Sequence, residues 1–242
     1  MTTNNSFVVK TDQSADLRRG IMASFPIFIG YIPVAVTFGL LAKSTGVTLI
    51  ETFLFSALVF AGASQFIALQ LIHLGVSPLQ IVAITFIMNF RHFLMSSYLS
   101  ALFPINEHRW LPFISFGVTD ESFAWFSIQK QGQKTHFILG LQYSAYVSWV
   151  GGTVVGYLFG AIIPRTLQAS LGLALYALFI ALLIPEAKRF FPAAVTAILG
   201  GVVHSFLTWF QFFSTGWNII VAIIVAAGFG ALVLGGDEEK CQ

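Results

Sequence analysis

The sequence predicts an all-α fold, a polytopic transmembrane helix bundle of about eight segments, and three observations carry that prediction. Hydrophobic residues make up 57% of the 242-residue chain and charged residues 9%, and the mean hydropathy is +0.83, far from the usual soluble composition. The apolar residues come in continuous runs of about twenty, the length that spans a bilayer as helix, whereas β-barrel strands are short and alternate. Within those runs stand three polar clusters, G-A-S-Q-F at 62–66, N-F-R-H at 89–92 and T-D-E-S-F at 119–123. Because backbone N–H and C=O groups must be satisfied inside a bilayer, helices are the available solution for the runs, and the clusters need a reason to be there.

Gly, Pro and charge clusters divide the chain into segments at 20–42, 51–73, 79–103, 110–129, 137–163, 168–185, 191–213 and 217–235. Segment 168–185 is short for a full crossing, so seven is the alternative count. The division gives a cytoplasmic amino-terminal tail at 1–19, a transmembrane domain at 20–235 and a polar carboxy-terminal tail at 236–242. Residues 1–16 hold no apolar run followed by a cleavage site, so the first segment itself directs insertion into the inner membrane. With the amino terminus inside, Lys10, Arg18, Arg19, Lys130, Lys134, Lys188, Arg189 and Lys240 fall inside and Lys43, Arg109 and Arg165 outside, the bias expected of a multi-pass protein with a cytoplasmic amino terminus. The net charge of +2 therefore reads as orientation in the lipid bilayer and points to no nucleic acid.

The first segment contains Pro26 and Pro33 with Gly30 and Gly39. Each internal proline removes a helical hydrogen bond, so a kink or unwound stretch is expected near residues 28–33, either a simple packing kink or a discontinuous helix of the kind transporters use. Gly152, Gly156 and Gly160 in the fifth segment share one face, which suits close helix packing. A weak internal repeat pairs Pro78 and 82–84 with Pro192 and 196–198, and 38–41 with 155–158. The phenylalanines are expected to face lipid or to fill gaps between helices.

Arg91, Asp120 and Glu121 fall near the middle of their spans, where an ionised group costs about 2.5–3.5 kcal/mol on insertion scales and faces protein or a hydrated cavity. An ion pair of Arg91 with Asp120 that only ties two segments together is the structural alternative; a hydrated binding or proton pathway is the functional one. At about 100° per residue, Thr85, Asn89, His92 and Ser96 form one stripe from which Arg91 diverges. Asp120 and Glu121 diverge likewise, so at most one meets Arg91 and the other is free to exchange a proton. Ser64 and Gln65 follow two small residues and suit either a zwitterionic ligand or an interhelical bond. The candidate set is therefore Ser64, Gln65, Asn89 and Arg91 for substrate, and Asp120, Glu121 and His92 for proton coupling. No metal-ligand spacing, nucleotide-binding loop or nucleophile–base set stands out, which argues against a cofactor, ATP binding or an enzyme. The lone Cys241 excludes a disulfide framework within the chain.

In these elements the sequence resembles the AzlC family. The shared features are the proline-containing first segment, A-G-A-S-Q-F at 61–66, G-V-S-P at 75–78, N-F-R-H at 89–92, T-D-E at 119–121, the region 149–156, and A-L-F-I-A-L-L at 177–183. They run in the family's order between Gly20 and Pro185. The resemblance implies the large subunit of a two-component exporter of branched-chain amino acids, leucine, isoleucine and valine with methionine as a further candidate. It also implies the proton gradient as energy source and a small AzlD-like membrane subunit as partner. A non-transporting membrane scaffold or assembly subunit is the rival expectation.

Overall fold

The computed structural model describes residues 13–102, 105–128, 134–159, 180, 183–184, 187–188, 190–211, 213 and 215–234. Segment 168–185 and both tails, with Lys10, Lys130, Arg165, Arg189, Lys240 and Gly160, lie outside or largely outside these residues. Among the described residues there are helices and no strands. The helices are α1 (Gln13–Ala23), α2 (Phe25–Ser44), α3 (Leu49–Val59), α4 (Gly62–His73), α5 (Pro78–Leu102), α6 (Leu111–Phe116), α7 (Asp120–Ile128), α8 (Thr135–Phe159), α9 (Phe191–Phe210) and α10 (Thr215–Phe229). A 3₁₀ turn, Ile105–Trp110, precedes α6. The all-α prediction holds, and α2, α5 and α9 are long and apolar enough to cross a membrane.

The framework is the pair α2 and α8, which run side by side in the same direction. Glycines bring their backbones together: a Cβ on Gly39 would lie 2.0 Å from Thr153 O, and one on Gly156 2.1 Å from Val36 O. The sequence match between 38–41 and 155–158 is thus two faces of one contact. Pro78 and Pro192 each stand at the start of a long helix, where proline is tolerated because the first turn needs no N–H partner. Of the two alternatives near 28–33, the discontinuous helix does not occur. Pro26 lies in the first turn of α2, and Pro33 sits inside a continuous helix held against α8 where Gly152 faces Ala35 and Ile32. On what we call the near side, Lys134 Nζ bridges to Asp16 3.0 Å away, tying α1 to the start of α8. On the far side, the Tyr157 hydroxyl donates to Val47 O at 3.1 Å.

The second and fourth of the expected segments are each built as two short helices. α3 and α4 have 11 and 12 residues, about 16–18 Å each at 1.5 Å per residue, against about 30 Å of hydrocarbon. They fold back on each other: Gln65 Nε2 donates to Phe55 O at 2.6 Å, which puts the two at one depth. α3 starts at the Thr48 cap beside Val47 on the far side, and α4 returns there to feed α5, since Leu71 packs with Ile84. The fourth segment is the inverted counterpart. Trp110, ahead of α6, contacts His136 at the start of α8 at 5.8 Å between ring centroids. Further along, Gln142 meets Ile114 and Tyr146 meets Phe116. The return leg α7 brings Trp125 back onto Phe137 at 4.8 Å. Arg109 is therefore on the near side with Arg18, Arg19 and Lys134 rather than on the opposite side from them as expected, because α6 and α7 fold back before α8 begins.

Two re-entrant hairpins, α3/α4 from the far side and α6/α7 from the near side, thus point at each other, with α5 crossing between them. Their tips touch, Phe60 stacking on Phe116 at 6.3 Å.

Candidate functional site

The tips enclose a cavity of about 50 Å³ near the middle of α5 and α8, lined by Tyr31 of α2, 60–63 of the first tip, Arg91 and His92 of α5, 119–121 of the second tip, and Trp149 of α8. Each hairpin breaks here because its sequence offers small or turn-forming residues at the same depth. In the first, Phe60 caps α3 in the left-handed region at φ 40°, a conformation that costs a bulky side chain energy and persists only when its surroundings hold it. Phe60 is held by Tyr146 at 5.2 Å and by Phe116, and the Tyr146 hydroxyl donates to the otherwise orphaned Ala57 O at 3.0 Å. α4 then restarts with no capping side chain at Ala61, so its first-turn N–H groups at Gly62 and Ala63 face the cavity with the positive end of the helix dipole.

The second tip breaks at 117–119. Thr119 and Ser122 close a reciprocal cap, Thr119 N donating to Ser122 Oγ at 2.9 Å and Ser122 N to Thr119 Oγ1 at 3.3 Å. That puts Asp120 and Glu121 in the first turn of α7, where the helix dipole favours negative charge. Two helix N-termini therefore converge on one cavity. Irregular backbone at membrane depth is tolerated where it lines such a space.

The two acids part company as their spacing requires. Asp120 Oδ2 accepts from Arg91 Nη1 at 2.7 Å, joining α7 to α5. Glu121 Oε2 accepts from the Tyr31 hydroxyl at 2.5 Å, joining α7 to α2. His92 Nδ1 lies 3.0 Å from Val118 O. A carbonyl can only accept, so Nδ1 carries the proton, and in the neutral ring Nε2 holds a lone pair. That Nε2 is buried without a protein partner.

The candidate residues separate accordingly. Arg91, His92, Asp120 and Glu121 come together at the cavity, and Arg91 and His92 face the same space although helical spacing set them on different sides of α5. Ser64 and Gln65 lie behind the first tip. Ser64 Oγ donates to Ala61 O at 2.9 Å, and Gln65 spends both ends of its amide, on Phe55 O and on Trp149 Nε1, which donates to Gln65 Oε1 at 3.0 Å. Asn89 is not among the lining residues, and its Oδ1 is buried without a partner. Sequence reasoning missed Tyr31 and Trp149, each an aromatic with a polar tip in an apolar run. Their signal was that a buried hydroxyl or indole N–H needs a partner at depth, which here is Glu121 or Gln65.

The AzlC protein family matches residues 26–163, which include both hairpins, α5 and all of the cavity lining. An uncharacterized membrane protein of Archaeoglobus fulgidus is 39% identical over 231 residues, covering 94% of this chain and 98% of its own. The inner membrane protein YgaZ of Escherichia coli is 35% identical over 228 residues, covering 90% and 89%. The branched-chain amino acid transport protein AzlC of Bacillus subtilis is 24% identical over 175 residues, covering 71% and 68%. No solved structure matches the chain. A helical membrane bundle with its polar residues gathered where two half-crossing hairpins meet, matched over more than half its length by one family of transport proteins, is a member of the AzlC family.

Proposed function

We propose that this protein is a secondary transporter that exports branched-chain amino acids, leucine, isoleucine and valine with methionine as a further substrate, coupled to the proton gradient. The observation that carries the reading is the meeting of two oppositely inserted hairpin tips at one charged cavity in the middle of the bundle. In the reading, the substrate carboxylate sits against Arg91 and the uncapped N–H groups of Gly62 and Ala63, where the helix dipole and a guanidinium both favour an anion. Phe60 and Trp149 cover the aliphatic side chain. Apolar burial separates leucine from valine by only about 0.8 kcal/mol per methylene, so the substrate range is broad. Asp120 holds Arg91, and Glu121, the acid that Arg91 leaves free, exchanges the proton with His92 beside it.

A cavity of about 50 Å³ has room for water, whereas pockets for small molecules run to about 300–1,000 Å³. The conformation is therefore closed, and loading requires a tip to withdraw. The near side carries Arg18, Arg19, Arg109 and Lys134 against Lys43 on the far side. This supports a cytoplasmic near side and amino terminus in the inner membrane. A small AzlD-like subunit completes the permease.

Purified protein in liposomes, alone and with the small subunit, tests the reading. Leucine counterflow is expected in at least the paired preparation, and its dependence on a pH gradient is expected to vanish in Glu121→Gln. Absence of counterflow in both preparations overturns it in favour of a scaffold.

A further inference from the structure

Tyr31 lies on the wall of the cavity that does not break. Its helix, α2, is fastened to α8 by glycine contacts too close to admit a Cβ at Gly39 or Gly156. Its ring stands edge-on to Trp149 at 5.6 Å, and that indole is pinned in turn by Gln65. Buried to within 8% of full coverage, Tyr31 cannot follow a displacement of the α6/α7 tip. Its hydroxyl is therefore a fixed point presented to a part that has to move, and it is spent on Glu121.

We propose that Tyr31 is the positioning residue of the coupling carboxylate, the joint through which the charge state of Glu121 holds the α6/α7 tip to the α2/α8 wall or releases it. This rests on the transport reading above. An O–H donor to a carboxylate is roughly twice as strong as a neutral bond. When a proton from the aqueous phase bonds to a Glu121 oxygen, the charge is lost and the Tyr31 contact falls to an ordinary hydrogen bond. The tip is then free to part from the wall. The ionisable groups that face Glu121 are Tyr31 from α2, Arg91 and His92 from α5, and Asp120 beside it, while the α4 and α8 residues lining the cavity, among them Gly62, Ala63 and Trp149, carry none. Arg91 is taken by Asp120, which leaves the tyrosine as the one neutral donor bonded to Glu121 among the described residues.

The test compares wild type, Tyr31→Phe, Glu121→Gln and the double variant in liposomes, with leucine flux followed across a pH series. Tyr31→Phe removes the bond that ties the tip to the wall whatever the charge on Glu121, so leucine flux is expected to lose its dependence on pH. The double variant is expected to match Glu121→Gln alone. Infrared spectroscopy of the purified protein supplies a readout that does not need transport: the carboxylate band that is absent from Glu121→Gln is expected to change frequency in Tyr31→Phe, which removes its hydroxyl donor. Superimposable pH profiles of flux and superimposable carboxylate bands in Tyr31→Phe and wild type overturn the proposal. If wild type shows no leucine flux, the transport reading fails and the infrared comparison alone decides the role of Tyr31.

Discussion

The two hairpin tips are built on one plan and finished differently. Each breaks at mid-depth, each restarts a helix whose N-terminus faces the cavity, and each is pinned by a glutamine that donates to a carbonyl of the half-helix before the break: Gln65 to Phe55 O and Gln142 to Ile114 O at 3.1 Å. At the first tip both ends of that pin are used, because Gln65 Oε1 also accepts the Trp149 indole N–H, and Tyr146 caps Ala57 O. At the second tip Gln142 Oε1 and the neighbouring His92 Nε2 are buried without protein partners, and both acids of the site are there. Buried unsatisfied groups are rare and call for an explanation. The difference teaches that the α3/α4 tip is a fixed wall, whereas the α6/α7 tip keeps free polar valences for a changing set of partners.

The comparison breaks outright if the hairpins do not enter from opposite sides. In a Cys241→Ser background, single cysteines at Arg109 and Lys134 are expected to react with an impermeant thiol reagent from one side of the membrane, and a cysteine at Lys43 from the other. The outcome is all or none. Labelling of Arg109→Cys and Lys134→Cys from opposite sides means that α6 and α7 cross, and the inverted pairing of hairpins is lost.

The glutamines sharpen the contrast. Gln65→Met strands the buried Trp149 indole N–H and withdraws a donor from Phe55 O, at a cost of about 2 kcal/mol. Gln142→Met also abandons a carbonyl, but it removes an acceptor that already had no partner, so the two contributions nearly cancel and a loss under about 1 kcal/mol is expected. Thermal unfolding in detergent measures both. Equal losses mean that the tips are equally committed.

Much of this was legible in the sequence and some was not, for physical reasons. Composition and run length gave the helical class because bilayer thickness leaves few alternatives. The divergence of Asp120 from Glu121 followed from helical spacing and survives a helix start at Asp120, since the first turn already has helical geometry. Segment two was unreadable as a hairpin because its two legs total 23 residues, enough for one full crossing, and the break falls at Phe60, an aromatic that local propensity does not place in a left-handed turn. Gln65 misled because its polar depth is real. Its partners come from Phe55, a few residues back, and from Trp149, far along the chain, and only the fold brings the three together.

The tip glycines carry the contrast to single methyl groups. A Cβ on Gly62 would lie 2.7 Å from Trp149 Cη2, and the indole has nowhere to go, being bonded to Gln65 and packed against Tyr31 and Phe38. Overpacking of this kind costs about 1–3 kcal/mol, partly offset by about 0.5–1 kcal/mol because alanine loses less backbone entropy in a helix than glycine. Gly62→Ala is thus expected to lose about 1 kcal/mol. A Cβ on Gly117 meets Gln142 at a similar 2.8 Å, but the nearest atom is its unpartnered Oε1. Gly117 has an ordinary φ of −82°, so no backbone strain is added. The amide oxygen can give way without breaking a bond of its own, but Gln142 Cβ lies at 3.0 Å and Nε2 holds Ile114 O, so Gly117→Ala is expected to lose about 1 kcal/mol, no more than Gly62→Ala. Unfolding midpoints of the two alanine variants rank them. A larger loss at Gly117 than at Gly62 means that the second tip is as rigid as the first, and the movable element must then be sought elsewhere in the bundle.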